Sequence, residues 1–202
     1  MADPLNDIVT RIRALQRDLD KQLDAQRERF RYQLRRGRVV FDREIRQRHK
    51  KYKVRLWTYI KNPNWPVVLT APFIYALIIP LVLLDLFVAL YQLTCFPAYG
   101  IPKVRRRDYI AIDRHYLGYL NGLEKLNCVY CGYANGLLAL VAEVASRTEA
   151  YWCPIKHARR LRGTHERYLA FADYGDAEHY RDRLQQLRAE LARLERESRA
   201  MG

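Results

Sequence analysis

The sequence has no Ser-His-Asp arrangement, phosphate-binding glycine loop, dinucleotide fingerprint or H-E-x-x-H helix. Nothing in it therefore points to catalysis by residue pattern. It also has none of the usual RNA- or DNA-binding signatures. Internal repeats and low-complexity tracts are absent, which excludes a solenoid or a fibrous chain. Acidic residues are scarce: 22 Asp+Glu stand against 36 Lys+Arg, leaving a net charge of +14. Such an excess suits an acidic partner, nucleic acid or a membrane surface. With no nucleic-acid signature, membrane headgroups are the simplest of these.

Charge is nearly missing from residues 65–99. That stretch reads WPVVLTAPFIYALIIPLVLLDLFVALYQLTCFPAY and holds one ionisable side chain of clear charge, Asp85. Eighteen or more mostly apolar residues are enough to cross a bilayer core. The stretch follows a long basic arm, unlike a cleavable signal peptide. Two geometries compete. One helix from about residue 71 to 95 crosses the bilayer, with Pro72 in its first turn and a kink at Pro80. Alternatively Pro80 is the apex of a re-entrant helical hairpin with two legs of about 22 Å. Basic residues favour the cytoplasmic side, and they flank the stretch at both ends, which favours the hairpin. Lys50, Lys51, Lys53, Arg55, Lys61, Lys103, Arg105, Arg106 and Arg107 are the expected contacts to anionic headgroups. Trp57, Tyr59 and Trp65 suit the interface. Asp85 is a candidate intramembrane acid, or simply an anion near the start of a helix begun by Pro80.

The arms of the chain carry helical periodicity. Leu5, Ile8, Ile12, Leu15 and Leu19 recur at three and four, after an Asp3-Pro4 start. Gly37 reads as a break, and residues 39–59 as a basic amphipathic segment. Near the end, Tyr180, Leu184, Leu187, Leu191 and Leu194 form a second heptad seam. The two seams suit coiled-coil pairing with each other or within an oligomer; otherwise each covers a helical core. The expected fold is all-α. Its parts are a coiled-coil-like helix (1–36), a basic juxtamembrane segment (37–64), a membrane element (65–99), a Cys/His-containing helical module (100–172) and a coiled-coil-like C-terminal helix (173–202).

Only four cysteines occur. On a cytoplasmic face thiols stay reduced, so they point to metal or redox chemistry rather than disulfides. Cys128 and Cys131 form C-x-x-C in a stretch, residues 127–136, that glycine and Asn135-Gly136 mark as a loop. Cys153 and His157 form C-x-x-x-H, with Pro154 placed to begin a helix. An apolar helix between them, over residues 137–150, could fold back so that the two pairs make a tetrahedral Cys3His site for zinc, or for iron. The alternatives are a thiol–disulfide pair at Cys128/Cys131 or inert small hydrophobes. Glu143 and Glu149 lie between the pairs. They are candidates for a supporting acid or a proton carrier, although Glu143 is also four residues from a natural partner, Arg147. Cys95 at the end of the apolar stretch reads as an inert thiol.

The strings LNCVYCGYANG and YWCPIKH resemble those of an uncharacterised family of bacterial membrane-associated proteins. The resemblance covers roughly residues 65–160. It implies a bacterial inner-membrane setting and no activity; the basic flanks are what put the termini and the Cys/His module on the cytoplasmic side. The expected function is a membrane-anchored interaction or assembly protein, not an enzyme. In that role a zinc site fixes the Cys/His module, and the terminal helices recruit a partner or a second copy. The alternative is a membrane-surface redox protein, with iron or the dithiol passing electrons to a quinone or a protein. A third, weaker idea is a lipid- or quinone-handling enzyme using Asp85 or Glu143.

Overall fold

The computed structural model describes residues 4–30, 32–35, 38–54 and 65–200. Helix makes up 72% and strand 3%, so the fold is helical. The elements run α1 (Pro4–Arg29), β1 (Tyr32–Arg35), β2 (Arg38–Phe41), α2 (Arg43–Lys51), α3 (Trp65–Ala76), α4 (Ile78–Tyr99), α5 (Gly122–Trp152) and α6 (Tyr180–Ala200). Short 3₁₀ turns lie at Arg106–Asp108, Arg114–Tyr116 and Glu166–Ala170. The chain divides into two compact units. One comprises Met1–Asn62 and Asp113–Val129; the other comprises Pro63–Ile112 and Tyr130–Gly202.

In the first unit, the strands pair antiparallel with Tyr32 opposite Phe41 and Arg35 opposite Arg38. The expectation of helix alone is corrected here. Val39, Val40 and Phe41 are β-formers, which suits a strand better than an amphipathic helix. Phe41 is buried and meets the His49 ring edge-on at 4.9 Å, and His49 meets Tyr119 at 5.2 Å. Residues on both sides of the apolar stretch are thus held in one body. At the start of α5, Asn121 Oδ1 accepts from the Glu124 amide, and Glu124 accepts from the Asn121 amide, a reciprocal capping box. Gly122 therefore begins the helix.

In the second unit, α3 and α4 follow each other with a distortion at Leu77 and no reversal. Pro80 has no amide to give to the Ala76 carbonyl, so the i→i−4 ladder is interrupted there. The Leu77 amide turns back to Ile74 at 3.3 Å, and the Leu81 amide resumes the ladder on Leu77 at 3.2 Å. The hairpin with Pro80 at its apex is therefore corrected: Val68–Tyr99 is one long, locally distorted rod. Gly100 ends it in the left-handed conformation (φ 66°). The Ile101 amide reaches Phe96 O at 2.9 Å and the Gly100 amide reaches Pro97 O, which is a Schellman closure.

The stretch 127–136 is corrected too. It lies wholly within α5, a single helix of 31 residues. Gly136 is a contact surface and not a turn. A Cβ on Gly136 would lie 2.7 Å from Tyr109 O and 2.8 Å from Ile110 Cα, so only glycine lets the segment after α4 rest against the helix. Pro154 starts no helix. Residues 153–165 are irregular, tied by a parallel bridge between Ile155 and Ala172. The core gathers Phe96, Ile101, Val104, Leu137, Leu140, Val144, Phe171, Leu187 and Leu191. The seam of α6 is thus buried in its own unit. That of α1 remains exposed at Ile12, Leu15, Leu19 and Leu23.

Candidate functional site

The largest unpartnered feature is the outer surface of α3 and α4. Their 18-residue apolar window is 0% buried. Leu69 is 78% exposed, Phe73 76% and Phe87 65%, and Leu77, Ile79, Val82, Leu83, Leu86, Leu90 and Leu93 are exposed by half or more. The opposite side of the rod is covered. Phe96 and Gln92 are buried, and Leu81, Val88, Tyr91 and Tyr99 pack on the core. The Gln92 side chain accepts the Val104 amide at 2.8 Å, which pins the returning chain to the covered side. Two helices, Val68–Tyr99 and Gly122–Trp152, are long and apolar enough to cross a membrane. They differ in surroundings, since α5 carries much of the core and the Val68–Tyr99 rod presents most of its surface outward.

The rod and α5 run in the same direction. Tyr130 donates to Ile74 O at 2.8 Å, Tyr133 reaches Asp85, Tyr91 meets Thr148 at 3.0 Å, and Tyr99 packs on Tyr151 and Trp152. Between them the segment after Gly100 runs back along the rod. Pro102 O accepts from Arg147 Nη1 at 2.6 Å, Arg106 reaches Asp85, and Tyr109 and Ile110 lie against Gly136.

Asp85 is placed by this return. Arg106 makes a two-pronged bond to its carboxylate, with Nη2 to Oδ2 at 2.9 Å, and the Tyr133 hydroxyl donates to Oδ2 at 2.9 Å. Asp85 therefore has a designated cation and a hydroxyl donor. It sits a full two turns into α4 and not in its first turn. The lone acid in an apolar run was itself the signal that one of the nearby arginines would be bound to it; sequence alone did not say which.

A second polar knot holds the second unit. Glu143 accepts from Arg147 Nε at 2.8 Å, the partner its spacing suggested, and from Arg167 Nη1 at 2.8 Å. Arg167 also donates to Ser146 Oγ at 3.0 Å. Glu149 lies 3.0 Å from His165 Nε2. Tyr109 packs nearby; its burial, reinforced by the Glu143 charge, pushes its phenol above the ordinary value. Both glutamates are thus engaged in ion pairs or hydrogen bonds within the fold. Arg167 and His165 left no local mark in the sequence.

The Cys3His arrangement does not fit the fold. Cys131 and Cys153 are separated by 22 residues, nearly all of them in one continuous helix, about 33 Å at 1.5 Å per residue. Thiolates sharing a zinc ion at roughly 2.3 Å each lie within about 4 Å of one another. Cys128 and Cys131 are three residues apart on α5, Cys131 is exposed, and all four cysteines are free thiols. The His157 amide donates to the Tyr168 hydroxyl at 2.6 Å, and its ring stacks on Tyr168. Among the described residues no group of three His, Cys, Asp or Glu side chains converges to hold a metal ion.

Of the predicted headgroup contacts, Lys50, Lys51 and Lys53 are exposed at and beyond the end of α2. Lys103, Arg105 and Arg107 are exposed on the return segment, while Arg106 is committed to Asp85. Arg55 and Lys61, with Trp57 and Tyr59, lie outside the described residues.

No protein-family model, curated protein or solved structure matches the chain. The likeness of the cysteine strings to bacterial membrane-associated proteins therefore rests on those strings.

Proposed function

We propose that this chain is a membrane-anchored interaction protein, held on the cytoplasmic face of a bacterial inner membrane by its apolar rod and basic flanks. The observation that carries the reading is the exposed surface of α3 and α4. Contiguous apolar patches of this extent are rare on soluble monomers and mark membrane or partner contacts. The basic excess supplies attraction to anionic headgroups of about 1 kcal/mol for each nearby Lys or Arg. The partner-facing element is α1, whose seam Ile12, Leu15, Leu19 and Leu23 is open to a second helix. The Cys128/Cys131 pair lies about a helix length from Cys153 and His157, which does not support a single Cys3His metal site. The redox alternative retains only the Cys128/Cys131 dithiol on one helix.

Vesicle flotation tests the anchor. The full-length chain should float with vesicles containing phosphatidylglycerol and bind more weakly to pure phosphatidylcholine. Phe87→Asp should reduce flotation by at least tenfold, since burying a phenyl ring contributes about 2 kcal/mol and an introduced charge costs more. Unchanged flotation of Phe87→Asp would sink the assignment of this surface to lipid.

A further inference from the structure

We propose that the rod Val68–Tyr99 lies in the plane of the membrane interface and does not cross it, so that the whole chain is monotopic. This rests on the membrane-anchoring reading above and specifies its geometry.

Residues 1–62 and 113–129 belong to one compact unit, tied by contacts such as His49 with Tyr119. The chain before the rod and the chain after the return segment are therefore on the same side of any bilayer. Between them lie one long helix and residues 100–112. If the rod crossed, residues 100–112 would have to cross back. That segment is a 3₁₀ turn and irregular backbone carrying Lys103, Arg105, Arg106, Arg107 and Asp108. Lipid-exposed irregular backbone does not occur in the hydrocarbon layer, because its amides and carbonyls would lose their hydrogen bonds.

Val68–Tyr99 is 32 residues, about 48 Å long, against a hydrocarbon core of about 30 Å. Asp85 is close to its middle. In a crossing rod, the Asp85–Arg106 pair and its charged neighbours would sit at the bilayer midplane, the most costly depth for charge. In a rod lying flat, the same pair stays at headgroup level on the protein-facing side, and the exposed apolar side enters the acyl boundary along its whole length.

The occupant of that face is an anionic bilayer surface. Exposed Lys103, Arg105 and Arg107 stand on the segment beside the rod and complement lipid phosphates. Trp65 begins the rod and Trp152 packs on Tyr99 at its far end; both are exposed, as interfacial aromatics are. A helix of this kind buries its apolar face about 5–10 Å into the headgroup–acyl boundary.

Single cysteines test the geometry. With the four native cysteines replaced by serine in the full-length chain, Asp20→Cys, Arg107→Cys and Glu178→Cys are expressed one at a time and exposed to a membrane-impermeant maleimide. The membranes are sealed vesicles of both orientations. All three should react to the same extent in inside-out vesicles and none in right-side-out vesicles before permeabilisation. Reaction of Arg107→Cys from the face opposite to Asp20→Cys would overturn the monotopic geometry while leaving membrane anchoring intact. Failure of the full-length chain to float with anionic vesicles would overturn both. If it were accompanied by a dimer whose formation Phe87→Asp abolishes, the occupant would be a second copy.

Discussion

At the scale of single residues, Gly136 carries an unusual share of the second unit's organisation. A glycine inside a helix ordinarily costs up to about 1 kcal/mol relative to alanine. Here it admits the Tyr109 carbonyl and the Ile110 backbone to distances that no Cβ tolerates. Gly136→Ala should therefore destabilise the protein by roughly 1–3 kcal/mol, as overpacking does, despite the better helix propensity. A denaturant melt reads this directly; a stabilised variant would mean that the return segment is not docked there. The same residue explains a misreading. Asn135-Gly136 looks like a turn in sequence, because a glycine selected for a close approach leaves the same letter as one selected for a turn. Asp85 was legible as an exception in an apolar run, but its partner was not. The pairing with Arg106 spans 21 residues and depends on where the chain turns back.

At the scale of elements, the two heptad seams have different fates that their spacing does not distinguish. Leu187 and Leu191 are buried in the core of their own unit, alongside Phe96 and Phe171. Arg188 fastens α6 further, donating to Tyr151 O at 2.8 Å and lying over the Tyr151 ring at 4.5 Å. The α1 seam is open to solvent at Leu15 and Leu19. Leu187→Ala should cost about 2–5 kcal/mol of folding stability without changing oligomeric state. Leu15→Asp should leave stability nearly unchanged and abolish any self-association or partner capture by α1, read by sedimentation and by thermal melting side by side. Equal effects of the two substitutions would remove the distinction. The N-terminal and charged C-terminal helices were legible from periodicity, and the apolar stretch from its length, although its charge flanks favoured a hairpin over the rod. The β-hairpin at Tyr32–Phe41 was not, because four-residue strands carry little pattern and Gly37 was equally compatible with a helix break.

At the scale of the whole molecule, the cysteine spacing shows how local motifs fail when a helix intervenes. A C-x-x-C followed by C-x-x-x-H needs a fold-back to become one site; an unbroken α5 places the two pairs a helix length apart. Protein purified in detergent without chelator should carry well below one zinc ion per chain by elemental analysis. Cys128→Ser, at a half-buried thiol, should cost no more than about 1 kcal/mol of stability. One tightly held zinc per chain, lost in Cys128→Ser, would overturn this.

The Schellman turn at Gly100 also sets an order of events. Its hydrogen bonds, and that of Val104 to Gln92, join residues no more than twelve apart. Loops of about ten residues close in roughly 10–100 ns, while a ribosome adds only about 5–20 residues per second. The turn after Tyr99 can therefore close before α5 has been synthesised. The turn at Gly100 thus needs only its own neighbours, whereas the rest of the return segment waits for α5 to supply Arg147 and Gly136.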